Sequence, residues 1–167
     1  MKILTGLSEK LGASVSDPAA DHLFQIREES EAKFLSEEKA QEFHHVVAQL
    51  LFLAMRARRD IQTAVAFLTT RVKRPDEDNW GKLRRVLKYL LGTRYMKLTL
   101  SVDDLSMIRW WVDALDRTHY DMKGHTGSLM SLGQGAIISG SRKQKINVRS
   151  STESALVALD DALPLIL

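Results

Sequence analysis

Residues Met107 to Leu156 read MIRWWVDALDRTHYDMKGHTGSLMSLGQGAIISGSRKQKINVRSSTESAL, and the organisation of the chain turns on them. The run from Met107 to Val112 is strand-like and carries one acid, Asp113, towards a loop. Gly124-His125-Thr126-Gly127 then leads into a second strand. Gly133 and Gly135 flank a turn into a third, predicted over Ala136 to Ser139. After the basic stretch Ser141-Arg142-Lys143-Gln144-Lys145, the residues Ser150-Ser151-Thr152-Glu153 are those that open a helix. The pattern predicts three consecutive strands followed by a helix, with an acid near the end of the first strand.

Working towards the N-terminus, Arg94 to Ser101 alternates in the manner of a strand. Asp103-Asp104 would turn it back into the Met107 strand as a hairpin. Before that lie three helical patterns. Ser36 is a plausible N-cap with Glu37 and Glu38 at the positive end of the helix dipole, and Phe43, Val46, Val47, Leu50, Leu51 and Ala54 form one apolar face. A second pattern starts near Asp60 and is broken by Pro75. The third opens at Asp76 to Asp78, buries Trp80, Leu83, Val86, Leu87, Leu90 and Leu91, and is expected to stop at Gly92. Residues 1–35 are weakly patterned, with Gly6, Gly12, Ser14, Ser16 and Pro18 arguing for a loop.

Composition narrows the function classes. With 44% hydrophobic and 27% charged residues the chain is globular in type, and the absence of cysteine removes disulfides and thiolate metal sites. The five histidines have no convincing metal-ligand spacing, and His44 and His45, adjacent and diverging on a helix, are expected in a solvated or core-edge role. The longest apolar run, near Leu50 to Met55, is far short of the roughly 20 residues a membrane span needs. Met1-Lys2-Ile3-Leu4 is followed at once by Thr-Gly, without a signal-peptide core. No membrane partner and an intracellular location, cytoplasmic or nuclear, are the expectation. The net charge of +3 is unevenly placed: residues 1–53 hold nine acids against five bases, whereas residues 54–100 hold twelve bases against four acids. A basic block of this kind points to nucleic acid more than the total does.

The wording of the opening stretch is closer than its pattern. Trp110-Trp111-Val112-Asp113-Ala114, Lys123-Gly124-His125-Thr126-Gly127, Ser141-Arg142-Lys143-Gln144-Lys145 and Ser150 to Leu156 stand in the order and spacing of the ribonuclease H domain in copia-type LTR retrotransposon Pol polyproteins, which this segment resembles. Gly124 departs from that family's usual serine. Upstream, Phe43-His44-His45-Val46-Val47-Ala48-Gln49-Leu50-Leu51, Ala57-Arg58-Arg59-Asp60-Ile61 and Trp80 to Thr93 resemble the thumb and connection of the same reverse transcriptase. Arg59 stands there in place of the family's usual proline. The resemblance runs from about Pro18 to the C-terminus.

The resemblance implies an α+β fold: a small helical bundle, thumb/connection-like, over 36–93, then a truncated ribonuclease H-like sheet with one helix over 94–167, with a weakly structured linker over 1–35. It also implies Mg²⁺ as cofactor and an incomplete cleavage site. The family's second metal-binding acid falls at Ala155, and a methyl group cannot ligate a hard cation. Glu153 lies two residues away on the helix, turned by about 200° towards another face. Asp113 is left as a vestigial catalytic and metal-binding residue, with no productive Mg²⁺ binding expected. Val102-Asp103-Asp104 spells part of a polymerase metal motif, but it follows the thumb-like helices instead of preceding them, and a turn explains it. Lys82, Arg84, Arg85 and Lys88 read from the residues alone as a solvated helix face. The resemblance makes them weak backbone contacts to an RNA–DNA hybrid or duplex, without sequence preference. A polyprotein fragment without catalysis is therefore the first reading. A nucleic-acid-binding module retained from the thumb is the alternative.

Overall fold

A computed structural model describes residues 11–166. Along the chain run α1 (Glu37–Arg56), a short 3₁₀ turn (Arg59–Ile61), α2 (Gln62–Thr69), α3 (Glu77–Gly92), β1 (Arg109–Leu115), β2 (His125–Ser131), β3 (Ile138–Lys143) and α4 (Ser151–Ile166). The strands form one antiparallel sheet in the order β1-β2-β3, so the fold is α+β. The chain divides into two compact units, Met1–Met96 and Lys97–Leu167. No helix among the described residues is long and apolar enough to cross a membrane.

The first unit is built on helical periodicity. Ser36 caps α1 by accepting the Lys39 N–H at 3.4 Å, and Phe43, Val46, Val47, Leu50 and Ala54 face inward. Asp76 and Asn79 close a reciprocal capping box at the start of α3, whose Trp80, Leu83, Val86, Leu87 and Leu90 meet that face. Phe67 and Leu68 of α2 complete the core. Gly92 is the last residue of α3, and its reason differs from the expected one. A Cβ at this position would stand 2.9 Å from the Ser14 Cβ, so the glycine admits a neighbouring chain segment; the helix is capped by Thr93, not by a left-handed glycine. That segment, residues 11–35, has no helix or strand beyond a bridge between Phe34 and Asp76, yet it packs firmly. Leu23 is buried in the core, and Phe24 meets Phe67 edge-on at 5.7 Å.

The turn between α1 and α2 is held by an ion pair. Arg58, buried, donates to both carboxylate oxygens of Asp60, to the Thr93 carbonyl at 3.0 Å and to the Thr93 hydroxyl at 2.6 Å. Its guanidinium also lies over the Tyr89 ring. One side chain thus ties this turn to the end of α3.

In the second unit β1 pairs with β2 so that Asp113 faces Gly127, and β2 pairs with β3 so that Gly127 faces Ser141. Two expectations are corrected here. Residues 97–101 are not a strand. They run beside the Gly133–Gly135 turn, where Ser101 donates to the Gln134 carbonyl and the Thr99 carbonyl lies so near Gly135 that any Cβ would collide. Gly135 has φ +79°, a left-handed conformation natural to glycine. The third strand lies over Ile138–Lys143, further along than predicted, and takes in the basic residues. Arg142 and Lys143 fit an edge strand because each finds a partner, the Asp161 carbonyl and the Asp121 carboxylate.

Candidate functional site

Helix α3 presents Trp80, Leu83, Val86, Leu87 and Leu90 to the core, which turns Gly81, Arg84, Arg85 and Lys88 the other way. Residues 15–27 cross that outer side. Between them and the helix lies a cleft of about 560 Å³. All four basic residues singled out in the sequence, Lys82, Arg84, Arg85 and Lys88, line it, and His22 and Arg27 join them from the crossing segment. Val15, Pro18, Ala19 and Leu23 give it an apolar wall, and Glu77 and Asp78 add two acids at the start of α3.

The four are not equivalent. Lys82 is buried, its ammonium 2.7 Å from Asp78 one turn earlier, donating to the Gln25 carbonyl and lying 4.9 Å from the centre of the Phe67 ring. It is therefore not on an open face, because the crossing segment covers it. Arg84, Arg85 and Lys88 are partly exposed. Arg85 sits 3.3 Å from Asp17, whose carboxyl is held below its usual range by the Ser16 hydroxyl first and by Arg85 second. Arg27 and Lys88 have no ion-pair partner among the described residues and leave their charge to the cleft. His22 and Arg27 were not singled out in the sequence. They lie in the segment read there as a linker, and only its packing against α3 brings them to the site.

Asp113 is placed by alternation along β1. Its partners in register show which face meets α4: Ala114 pairs with Thr126, whose hydroxyl reaches Asp161 of α4, and Thr126 pairs with Arg142, which reaches the Asp161 carbonyl. Asp113, with Trp111, Leu115 and Gly127, lies on the opposite, exposed face. Its Oδ1 accepts the Ala114 N–H at 2.8 Å. On α4, Ser154, Ala158 and Ala162 are buried and Ala155 is exposed. Glu153 turns back to accept the Arg149 N–H at 2.7 Å while its own N–H donates to the Ser150 hydroxyl, so its carboxylate serves the start of the helix. No group of three His, Asp or Glu side chains suited to a metal ion occurs among the described residues. A lone carboxylate flanked by Trp111, Leu115 and Gly127 does not fit Mg²⁺, which requires near-octahedral oxygen ligation.

A third cluster went unread in the sequence. The loop between β1 and β2 bends through Arg117 and Met122, both with positive φ, and brings His119 back over His125. His119 Nε2 lies 3.0 Å from His125 Nδ1, and His125 Nε2 lies 2.7 Å from the Ser141 hydroxyl. Burial, then the neighbouring His119, pushes His125 down to about 4. Burial also lowers His119, helped by Lys143 and opposed by Asp121. Both rings are neutral near pH 7 and act as packed, hydrogen-bonded members of the sheet's end. Six residues separate them in sequence, and no periodicity announces such a contact.

Similarity to known proteins completes the picture. The chain is 36% identical over 119 residues, 68% of its length, to the retrovirus-related Pol polyprotein from transposon RE2 of Arabidopsis thaliana, of which it spans 8%. It is 27% identical over 162 residues, 94% of its length, to the retrovirus-related Pol polyprotein from transposon TNT 1-94 of Nicotiana tabacum, of which it spans 12%. A secreted RxLR effector protein of Plasmopara viticola is 29% identical over 117 residues, 70% of this chain and 82% of its own length. No protein-family model matches the chain, and no solved structure matches it. By sequence the chain belongs with the retrovirus-related Pol polyproteins of Ty/copia-type transposons, and it spans a small part of their length.

Proposed function

We propose that the chain is a segment of a copia-type Pol polyprotein in which residues 36–93 correspond to the reverse-transcriptase thumb and connection, and residues 94–167 to the first part of a ribonuclease H-like domain that does not cleave. The observation that carries this reading is the isolation of Asp113. Hybrid cleavage by the two-metal route needs several carboxylates around the ions. Asp113 faces away from α4, Ala155 offers a methyl, and the Glu153 carboxylate is engaged at the start of its helix. Purified chain with Mg²⁺ or Mn²⁺ is expected to leave the RNA strand of an RNA–DNA hybrid intact. Cleavage that disappears in Asp113→Asn would refute this.

A second reading has its own observation, the gathering of Arg27, Arg84, Arg85 and Lys88 at one cleft. It holds that the first unit binds nucleic-acid backbone weakly and without sequence preference. Each phosphate contact contributes about 0.9 to the slope of log affinity against log salt. Replacing Arg84, Arg85 and Lys88 together by Gln should lower the slope for a duplex or hybrid by about 2–3. An unchanged slope would return these residues to the role of a solvated helix face.

A further inference from the structure

We propose that the cleft over α3 binds a single nucleotide unit through its phosphomonoester, as a free mononucleotide or as the phosphorylated end of a strand. This deepens the reading of α3 as a phosphate-binding element, but it stands on the shape of the recess, not on polymer binding.

Size points to one unit. A volume of about 560 Å³ falls within the range of about 300–1,000 Å³ typical of small-ligand sites. A duplex carries its phosphates on the outside of a rod and would lie across the rim, not enter. Charge points to phosphate. Lys82 and Asp78 neutralise each other at 2.7 Å, and Asp17 engages Arg85, but Arg27, at the Asp78 end of the cleft, and Lys88, ten residues further along α3, have no ion-pair partners among the described residues. Arg84 also lines the cleft, with an interaction of its own, and Glu77 and Asp78 are the acids of the lining. A phosphomonoester brings nearly two negative charges to such a place, where a phosphodiester brings one. The apolar wall of Val15, Pro18, Ala19 and Leu23 gives a nucleobase a surface to lie on.

Gly81 supplies the independent observation. A glycine inside a helix is less stable than alanine by about 1 kcal/mol. Gly81 lies within α3 and lines the cleft, yet a Cβ built there meets nothing within 4 Å. Packing does not require the glycine. Its missing side chain leaves that part of the exposed recess unoccupied.

The test uses the full chain and a dinucleotide fluorescently labelled at its 3′ end, with either a phosphate or a hydroxyl at its 5′ end. By anisotropy the phosphorylated form should bind at least about tenfold more tightly. Adenosine monophosphate should compete and adenosine should not. If the monophosphate competes as well as the unlabelled phosphorylated dinucleotide, a free nucleotide is sufficient; if it competes weakly, the strand end is the ligand. Gly81→Leu takes up part of the recess without changing any charge and should weaken binding about tenfold or more. Arg27→Gln with Lys88→Gln should weaken it about tenfold or more, and decides the matter if the leucine variant fails to fold. Equal binding of the two dinucleotides, or full binding by a folded Gly81→Leu, overturns the proposal. Salt-sensitive duplex binding without nucleotide binding would overturn it while leaving the backbone reading intact. Nucleotide binding without duplex binding would do the reverse.

Discussion

Asp60→Ala should be among the costliest single substitutions outside the apolar core. It removes the acceptor of a guanidinium that is only 7% exposed at the side chain. Leaving one member of a buried pair without its partner typically costs about 3–5 kcal/mol. Two features reduce that here: the Asp60 side chain is 29% exposed, and Arg58 keeps its two bonds to Thr93. A loss of about 2–3 kcal/mol is expected. Asp60→Asn preserves an oxygen acceptor and should lose about 1–2 kcal/mol. Arg58→Met removes the charge together with its demand, so Arg58→Met/Asp60→Ala should lose less than the sum of the single losses by at least about 1 kcal/mol. Burial pushes the Asp60 carboxyl up, but the Arg58 guanidinium and the Tyr89 hydroxyl together outweigh it and the net direction is down. The pair therefore stabilises the fold above the unfolded aspartate value of about 3.9 and loses that contribution as pH falls through the lower folded value. Urea unfolding would be followed by Trp80 fluorescence with Trp110 and Trp111 replaced by Phe, which restricts the signal to the first unit. Additive losses in the double variant, or a loss below about 0.5 kcal/mol for Asp60→Ala, would refute the account of Arg58 as the tie between the α1–α2 turn and α3.

Two further outcomes follow from local geometry. Gly81→Ala should raise stability by about 0.5–1 kcal/mol, since the new methyl meets open space and the helix gains propensity; thermal unfolding of the variant checks it, and a lower midpoint would count against it. His125, held near 4 in the folded chain against about 6.5 unfolded, binds its proton more readily once unfolded. Its contribution is intact above about pH 6.5 and is lost between there and pH 4, by about 3 kcal/mol, in an environment set by His119, Ser141, Lys143 and Asp121. Unfolding of the second unit at a series of pH values should show this slope, and His125→Gln should flatten it.

What could be read from the sequence was whatever depends on neighbours along the chain. Ser36 and Asp76 cap helices because a short acceptor precedes an apolar period, and both facts are local. The first two strands announce themselves in the same way. The basic third strand does not, because Arg142 and Lys143 are tolerated there only through Asp161 and Asp121, 19 and 22 residues away respectively in sequence. Residues 97–101 alternate like a strand but meet a glycine turn instead of a second ladder. At the site, periodicity sets Lys82 beside Arg84, Arg85 and Lys88 as one face. The fold separates them, because Gln25 and Phe67 enclose the Lys82 ammonium. A helical wheel reports the angle of a side chain about its own helix and is blind to an irregular segment laid across it.

Asp113 and the α3 cations also differ in how far each function survives the loss of parts. Metal-assisted cleavage depends on convergence: with one carboxylate absent the ion is not held, and the remaining acids contribute little alone. Asp113 cannot easily be swung to rejoin a set on the α4 side. A one-residue slip of β1 would turn Val112 and Ala114 out to solvent, and the antiparallel register from Arg109–Ser131 to Leu115–His125 opposes it. Phosphate binding is additive instead, each cation adding its own increment and none being indispensable. Lys82 can be diverted to Asp78 while Arg84, Arg85, Lys88 and Arg27 still line the same recess. On the reading proposed above, a polyprotein segment that no longer cleaves would be expected to keep its affinity for phosphate well after its carboxylate site has gone.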